Sequence, residues 1–306
     1  SEESEDIQTF HFIATPENTL KLVNLKSYNL VTKDLSSNPS LSEIPSISFK
    51  VDNNKDLYIF TNVGNCIKMP VKSIPECRFR DKGVSLFSLV KNVDQAENIV
   101  AVLELDNSLK ENNLIFVTKN GMVKISKVTD YFVAKQVYGA IKLAKNDELI
   151  SVDIHYPNKK LCMFTSNGSG VKINTEDISI TGRMSSGIKG MAVDKLDGVV
   201  GAMQTAPSDA ISIFVSDGSG KIMKQAEVVD SARNRKGVGY INSKSKNAKL
   251  IKAYKLSVKT NYVINTEKDK LQFVLPNVLP LDTRLGSGKI ICKDKIKNTY
   301  LFVENK

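Results

Sequence analysis

Short apolar segments alternate with polar turns along the whole chain, and the pattern repeats. One unit occurs six times: an apolar strand, a threonine or serine, a short polar turn, and a second strand that carries a lysine. The six copies begin at Phe10, Leu57, Leu114, Leu161, Ile211 and Tyr262. Successive copies lie 46, 57, 47, 51 and 50 residues apart when they are aligned on Thr15, Thr61, Thr118, Thr165, Ser216 and Thr266. Such a period is typical of a repeat protein.

The polar turn of each unit predicts a β-hairpin, because pairs such as Asn120-Gly121 and Asp217-Gly218 tolerate positive φ angles. A further strand is predicted after each hairpin, within 46–51, 97–105, 147–154, 196–204, 247–256 and 298–304. Between hairpin and strand lie glycine-containing, often basic segments, here called the connections: 77–89, 134–144, 181–193, 231–241 and 282–292. Each repeat therefore predicts about four short strands.

These strands predict an all-β fold, since no long window places apolar residues at helical spacing. Six such repeats favour a propeller-like disc of six four-stranded blades, because radial repetition leaves only short strand edges. A linear β-solenoid is the alternative, although its repeats are usually shorter. We expect a single domain over residues 9–306, a tail or linker at 1–8, and the longest loop at 31–45.

Composition excludes several other classes of protein. The 306 residues are 41% hydrophobic and 25% charged, and no apolar run predicts a membrane-spanning helix or a secretory signal. Four cysteines without CxxC spacing argue against a zinc site and a disulfide framework, and predict isolated thiols in a reducing cytoplasm. Two histidines make a histidine-based catalytic centre unexpected. The residues concerned are Cys66, Cys77, Cys162, Cys292, His11 and His155.

The net charge of +10 is concentrated in the connections. The candidate DNA-binding residues there are Arg78, Arg80, Lys82, Lys135, Lys142, Arg183, Lys189, Arg233, Arg235, Lys236, Arg284 and Lys289. The hairpins add Lys21, Lys68, Lys124, Lys172 and Lys224. Equivalent positions of a circular array fall on one ring, which predicts a basic belt suited to the phosphodiester backbone of bent DNA. Charge that protects strand edges and maintains solubility is the alternative.

Enzyme motifs are missing from the sequence. Neither GxGxxG before a helix, GxxxxGK[ST], HExxH nor GxSxG occurs. The glycine-serine-glycine segments at 168–172, 218–221 and 286–289 fall at hairpins and connections, where no helix N-terminus would hold phosphate. The acidic pairs Asp147/Glu148 and Glu176/Asp177 are expected in solvated turns, and most tyrosines in the core. The chain is therefore predicted not to be an enzyme by itself.

The repeats resemble those of a known family. The segments IFVTKNGMVKISKV at 115–128, MFTSNGSGVKINTEDI at 163–178 and TGRMSSGIKGMAVDKLDGVVGA at 181–202 are similar to repeats in the C-terminal domains of bacterial type IIA topoisomerase A subunits, those of DNA gyrase and topoisomerase IV. The resemblance covers residues 10–306. It implies a six-bladed β-pinwheel, whose blades exchange a strand and whose basic rim bends duplex DNA.

The same resemblance implies the partners and the setting. The domain would present DNA to the catalytic core of its own A chain, working with the ATPase B subunit in the bacterial cytoplasm at the nucleoid. No cofactor is expected in this domain, because ATP and Mg²⁺ would be used elsewhere in the enzyme. No membrane partner is expected.

One family feature is missing. Gyrase A subunits carry a box close to Gln-Arg-Arg-Gly-Gly-Lys-Gly after the first hairpin, which the family associates with chiral wrapping and negative supercoiling. Here residues 29–44 contain neither glycine nor arginine, and only degenerate echoes follow at 136–142 and 232–239. The resemblance therefore implies topoisomerase IV, with decatenation and relaxation during chromosome segregation. A divergent gyrase A domain, a protein-interaction propeller and a propeller-type hydrolase or lyase are the alternatives.

Overall fold

The computed structural model describes residues 6–33, 41, 43–257 and 260–303, and its strands follow the six repeats. Repeat 1 contains β1 (Thr9–Ala14), β2 (Thr19–Asn24), helix α1 (Leu25–Thr32) and β3 (Ile47–Asp52). Repeat 2 contains β4 (Asp56–Thr61), β5 (Asn65–Pro70), β6 (Val84–Ser85), helix α2 (Leu86–Leu89) and β7 (Ile99–Glu104). Repeat 3 contains β8 (Asn113–Thr118), β9 (Met122–Lys127), β10 (Val137–Gly139) and β11 (Leu149–Ile154).

The second half of the chain repeats this order. Repeat 4 contains β12 (Lys160–Thr165), β13 (Ser169–Ile173), β14 (Ile188–Lys189) and β15 (Val199–Thr205). Repeat 5 contains β16 (Ala210–Val215), β17 (Ser219–Lys224), β18 (Val238–Gly239) and β19 (Leu250–Lys255). Repeat 6 contains β20 (Thr260–Thr266), β21 (Leu271–Val274), β22 (Lys289–Ile290) and β23 (Ile296–Val303). Short 3-10 helices follow five hairpins or strands, at 71–73, 107–109, 128–131, 225–227 and 276–278.

Each repeat keeps three strands for its own blade, and repeats 2 to 6 each give one short strand to the preceding blade. Strand β6 of repeat 2 pairs with β2 of repeat 1, and the same exchange places β10 on β5, β14 on β9, β18 on β13 and β22 on β17. Five blades are therefore four-stranded, and the sixth has three strands within the described residues. The strand exchange that the resemblance implied is confirmed.

The six blades form a closed ring. The last strand of each repeat contacts its counterparts in both neighbouring blades, from β3 through β7, β11, β15 and β19 to β23, which contacts β3 again. These strands surround the axis, so the exchanged strands at the opposite edge of each sheet lie on the perimeter. The predicted six-bladed disc is confirmed, and the linear solenoid is wrong.

The core lies in layers between neighbouring blades. Phe60 of blade 2 meets Phe116 of blade 3 edge-on, with ring centroids 5.8 Å apart. The layer that closes the ring combines Tyr28 of repeat 1 with Val263 and Phe302 of repeat 6, and the Tyr28 and Phe302 centroids are 6.1 Å apart. Burial of these side chains removes apolar surface from water, which favours the closed disc.

Helices α1 and α2 and the register of repeat 5 differ from the sequence-based expectation. Helix α1 was not predicted; the side chain of Asn24 caps its first turn by accepting from the amide of Lys26 at 2.9 Å, and the helix buries Tyr28. It occupies the start of the expected loop at 31–45, of which residues 34–40 and 42 lie outside the described part. In repeat 5 the turn is closed by Val215, whose carbonyl accepts from the amide of Gly218. Ser216, on which the repeats were aligned, therefore lies one residue after the position that the aligned threonines occupy in the other repeats.

Glycine permits the exchanged segments to approach the hairpins closely. Gly187 and Gly237 each precede an exchanged strand and have φ angles of +77° and +75°, a region that side chains disfavour. A Cβ atom at Gly187 would clash with the carbonyl oxygen of Val123, and one at Gly237 with that of Gly170. At these two exchanges glycine is therefore needed for both conformation and space.

We expect Gly187→Ala to lower the free energy of unfolding by about 1–3 kcal/mol, because the new side chain combines left-handed strain with a backbone clash. Gly182→Ala is the matched control: it lies in the same connection, and a Cβ atom there meets no heavy atom within 4 Å. Urea unfolding of both variants measures the difference. Equal stability of the two variants would contradict this account of the exchange.

Candidate nucleic-acid interface

The connections lie at the outer edge of the disc, where four of them are joined in series. Hydrogen bonds link 134–144 to 181–193, 181–193 to 231–241, and 231–241 to 282–292. The bonds run from Lys142 N to Ser185 O at 3.2 Å, from Ala192 N to Arg235 O at 2.9 Å, and from Arg284 Nη1 to Gly239 O at 2.9 Å. The structure thus brings most of the candidate binding residues onto one continuous perimeter.

Seven candidates, five of them on this perimeter and two in connection 77–89, present exposed cations and take part in none of the ion pairs resolved among the described residues. They are Arg80, Lys82, Lys135, Lys142, Lys189, Arg235 and Lys289. Exposed Lys and Arg side chains that recur around a rim provide positive charge without a fixed binding geometry. Such an arrangement suits a phosphate backbone better than a small ligand.

Three other candidates are partly neutralised by acids. Arg233 Nε lies 3.2 Å from Asp177 Oδ2, and Lys236 Nζ lies 2.8 Å from Asp194 Oδ1. The hydrogen bond and the charge of Asp194 raise the pKa of Lys236 above its usual value. Arg78 pairs with Asp81, three residues further along its own connection. The positive charge of the belt is thus lower at these places than the sequence suggests.

Arg183 and Arg284 have a structural role that the sequence did not reveal. Arg284 donates from Nη1 to the carbonyl of Gly239 at 2.9 Å, and its guanidinium lies 5.9 Å from the centroid of the Tyr240 ring. Arg183 contacts the preceding connection in the same way, donating to Gly139 O beside the ring of Tyr138. Both arginines therefore hold successive connections together.

The prediction that hairpin lysines extend the belt is wrong for Lys21, Lys124 and Lys172, which are buried. Lys124 Nζ donates to the hydroxyl of Tyr131 at 2.8 Å, to Ala140 O at 2.8 Å and to Arg183 O at 2.6 Å. Its ammonium therefore binds two connections from the inside. Of the remaining two hairpin lysines, Lys68 is half-buried and Lys224 is exposed.

The same contact recurs in two further blades. Lys21 Nζ donates to Phe79 O and Asp81 O, both at 2.7 Å, and also lies 3.2 Å from the carboxylate of Glu43. Lys221, which the sequence analysis did not single out, donates to the carbonyls of Thr283, Arg284 and Gly286. In each case a lysine of the hairpin holds the connection that brings in the exchanged strand.

A signal for these lysines exists in the sequence. Lys21, Lys124 and Lys221 each lie six residues after the residue that closes the hairpin turn, within an otherwise apolar strand. Blade 2 has Ile67 at this position, and its incoming connection has Val137 where the others have glycine. Blade 4 has Val171 at this position although its incoming connection keeps Gly237. Each of the three lysines thus faces a connection with glycine, but the glycine also occurs without the lysine.

Burial determines the electrostatics of these lysines. It lowers the pKa of Lys124 to about 7, and the nearby charge of Arg183 contributes to this lowering. Burial also lowers the pKa of Lys221, an effect that the charges of Asp282 and Glu227 partly offset. Burial thus makes both lysines easier to deprotonate in the folded chain than an exposed lysine.

Other candidate chemistry is accounted for by the fold. Asp147 was expected to be solvated but is buried, and its Oδ1 accepts from the amides of Asn120 at 2.9 Å and Glu148 at 2.8 Å. All four cysteines are free thiols. His11 is buried against the ring of Tyr28 with centroids 3.6 Å apart, and burial lowers its pKa to about 4.

Neither a metal centre nor a membrane span is found within the described ranges. No group of three or more His, Cys, Asp or Glu side chains there is arranged to hold a metal ion. No helix in the same residues is long and apolar enough to cross a membrane.

Comparison with known proteins confirms the resemblance. The family model of the DNA gyrase C-terminal domain, beta-propeller, matches residues 55–103, 112–155 and 159–206. The DNA topoisomerase 4 A subunit of Bacillus subtilis is 27% identical over 243 residues, which are 78% of this chain and 30% of that protein. The DNA gyrase A subunit of Helicobacter pylori is 31% identical over 230 residues, 72% of this chain and 27% of that protein. The chain thus spans under a third of these relatives.

Solved structures confirm the fold. The C-terminal domain of DNA topoisomerase IV superimposes with a TM-score of 0.82 at 20% identity, over 98% of this chain and 94% of that one. The DNA gyrase A C-terminal domain gives a TM-score of 0.71 at 18% identity, over 97% and 100% of the two chains.

We expect the stability that Lys124 confers to depend on pH. In the folded state its pKa is about 7, whereas in the unfolded chain it returns to the ordinary value of 10.5, so between these values the unfolded chain binds the extra proton. The free energy of unfolding should therefore rise with pH across this window relative to Lys124→Met, by at most about 1.4 kcal/mol per pH unit.

Urea unfolding of both proteins at several pH values between 7 and 10 measures this dependence. Lys127→Met, which replaces an exposed lysine of the same strand, provides the control and should show no such trend. A stability difference between wild type and Lys124→Met that stays constant with pH would rule out the lowered pKa.

Proposed function

We propose that this chain, a homologue of the C-terminal domains of type II topoisomerase A subunits, binds and bends duplex DNA on the basic belt. The observation that carries the proposal is the position of the exposed cations. They recur in successive connections, and hydrogen bonds join four of these connections into one perimeter. Binding would be largely independent of sequence, since Lys and Arg release counterions from phosphates without reading bases.

Curvature follows from the shape of the disc. DNA that contacts several connections in turn must follow a curved perimeter, and smooth bending of a short duplex by 40–90° costs on the order of 1–6 kcal/mol. Additional phosphate contacts along the curve offset that cost. Arg183 and Arg284 maintain the path, because they join neighbouring connections and keep the cations at fixed distances.

Within the whole enzyme, the domain would present a DNA segment to the catalytic core of its own A chain, working with the ATPase B subunit in the bacterial cytoplasm at the nucleoid. The domain itself would use no cofactor; ATP and Mg²⁺ would serve other parts. We favour topoisomerase IV over gyrase, because residues 29–44 contain neither the glycine nor the arginine of the gyrase box. Part of this segment belongs to helix α1.

Replacement of Arg233, Arg235 and Lys236 by Gln should weaken binding to duplexes of unrelated sequence alike. The slope of log K against log salt should become less negative by up to about 0.9 for each phosphate that is no longer bound. A salt titration by gel shift measures both effects. A Gln triple at Lys110, Lys127 and Lys255, three exposed lysines outside the connections, removes the same charge and should leave the slope nearly unchanged. Equal slopes for the two triples would contradict the assignment.

Ligation of nicked circular DNA in the presence of the chain distinguishes the two enzymes. Salt-sensitive binding with little change in linking number is expected for a bending module of topoisomerase IV. A consistent change of one sign would indicate wrapping and favour the gyrase alternative. Absence of binding at low salt would overturn the proposal and favour a protein-interaction propeller.

A further inference from the structure

The densest group of cations on the basic belt is held by acids of the neighbouring repeat. Arg233, Arg235 and Lys236 lie within four residues of connection 231–241. Two of them are paired across the junction, Arg233 with Asp177 and Lys236 with Asp194, at 3.2 Å and 2.8 Å. Asp177 follows the hairpin of blade 4, and Asp194 follows the exchanged strand β14.

The fold has little need of these ion pairs. The backbones of the two connections are already joined, by Ala192 N to Arg235 O at 2.9 Å and by Asn234 N to Gly190 O at 3.1 Å. The side chains of Asp177 and Asp194 remain 63% and 60% exposed. Ion pairs at such exposed sites contribute about 0–1 kcal/mol to stability and are screened by salt.

The neighbouring junction uses the same positions differently. The acid equivalent to Asp177 in the next repeat is Glu227, which accepts from the backbone amide of Arg284 at 2.9 Å. The guanidinium of Arg284 instead contacts Gly239 O and the ring of Tyr240. At the junction of Arg233, the position equivalent to Tyr240 on the adjoining connection is Gly190, which offers no ring. The guanidinium of Arg233 instead donates to the carboxylate of Asp177.

A carboxylate on the belt competes with DNA for the same donors. Guanidinium and ammonium groups bind carboxylate and phosphate oxygens with the same charge-assisted hydrogen bonds. A phosphate that binds Arg233 or Lys236 must therefore share the donors of that side chain with the aspartate or displace it, and in either case the aspartate lies beside the phosphate as a like charge. Both effects reduce the affinity for DNA.

We propose that Asp177 and Asp194 compete with DNA phosphates for Arg233 and Lys236, and so keep this sector of the belt at lower affinity than its cations allow. The inference rests on the proposed DNA-binding function. The two aspartates are affinity-determining residues that make no contact of their own with the DNA.

The test is duplex binding by the chain carrying Asp177→Asn, Asp194→Asn or both, titrated in salt. Each substitution should tighten binding about two- to fivefold, the factor that corresponds to an exposed ion pair. The salt slope should become more negative by up to about 0.9 for each cation that newly engages a phosphate. Glu111→Gln is the control: it removes one exposed acid outside the connections and should change the affinity less. Unchanged midpoints of thermal unfolding would confirm that the variants fold.

A variant cycle identifies the route of the effect. If Asp177 acts through Arg233, Asp177→Asn should give little gain in an Arg233→Gln background. The inference would be overturned if Asp177→Asn raised the DNA affinity by the same factor in the Arg233→Gln background. It would also be overturned if the aspartate variants raised the affinity no more than Glu111→Gln does. In both cases DNA binding by the wild-type chain would still support the proposed function. Failure of the wild-type chain to bind at low salt would overturn the proposed function and this inference with it.

Discussion

The exchange of a short strand between neighbouring blades is the constraint on which the rest of this structure depends. An incoming connection must leave its own hairpin, cross to the preceding blade and pair there for only two or three residues. Several of its carbonyls then face inward, where an unpaired acceptor costs about 1–3 kcal/mol. Lys21, Lys124 and Lys221 supply the missing donors, and a lysine ammonium can donate three hydrogen bonds from one point. The hydrogen bonds of the buried lysine stabilise the crossing, whereas the desolvation of its charge opposes that effect.

This arrangement separates two populations of basic residues that the sequence presents together. Lys21, Lys124 and Lys221 of the hairpins are buried and hold the connections, whereas most Lys and Arg residues in the connections are exposed. Arg183 and Arg284 stand between the two, because they lie on the perimeter yet bind neighbouring connections. Buried lysines of the hairpins therefore fix the connections, whereas exposed Lys and Arg residues of the connections supply the positive charge that would contact DNA.

Much of the fold was predictable because it depends on local chemistry. Asn-Gly and Asp-Gly turns, apolar strands and a period of about fifty residues identified every hairpin and each strand that follows one. Helix α1 was not predicted, because it buries only Tyr28 and Thr32 and so shows no apolar pattern of helical period, and its cap is a single asparagine. The inward direction of Lys124 was not predicted either, since a lysine at a strand position is normally solvent-facing and its partners lie up to 59 residues away. The pairing of Arg233 with Asp177, 56 residues apart in the chain, likewise depends on the ring.

The direction of the strand exchange also sets the order in which the molecule can be completed during its synthesis. Every exchanged strand belongs to the repeat that follows the blade it completes, so none of the five four-stranded blades can be finished from its own repeat. On a ribosome, blade 1 has β1 to β3 once Asp52 has emerged but waits for Val84 of the next repeat, a delay of a few seconds at about 5–20 residues per second. Each blade would then be completed by its successor, until Phe302 reaches Tyr28 and the last repeat meets the first.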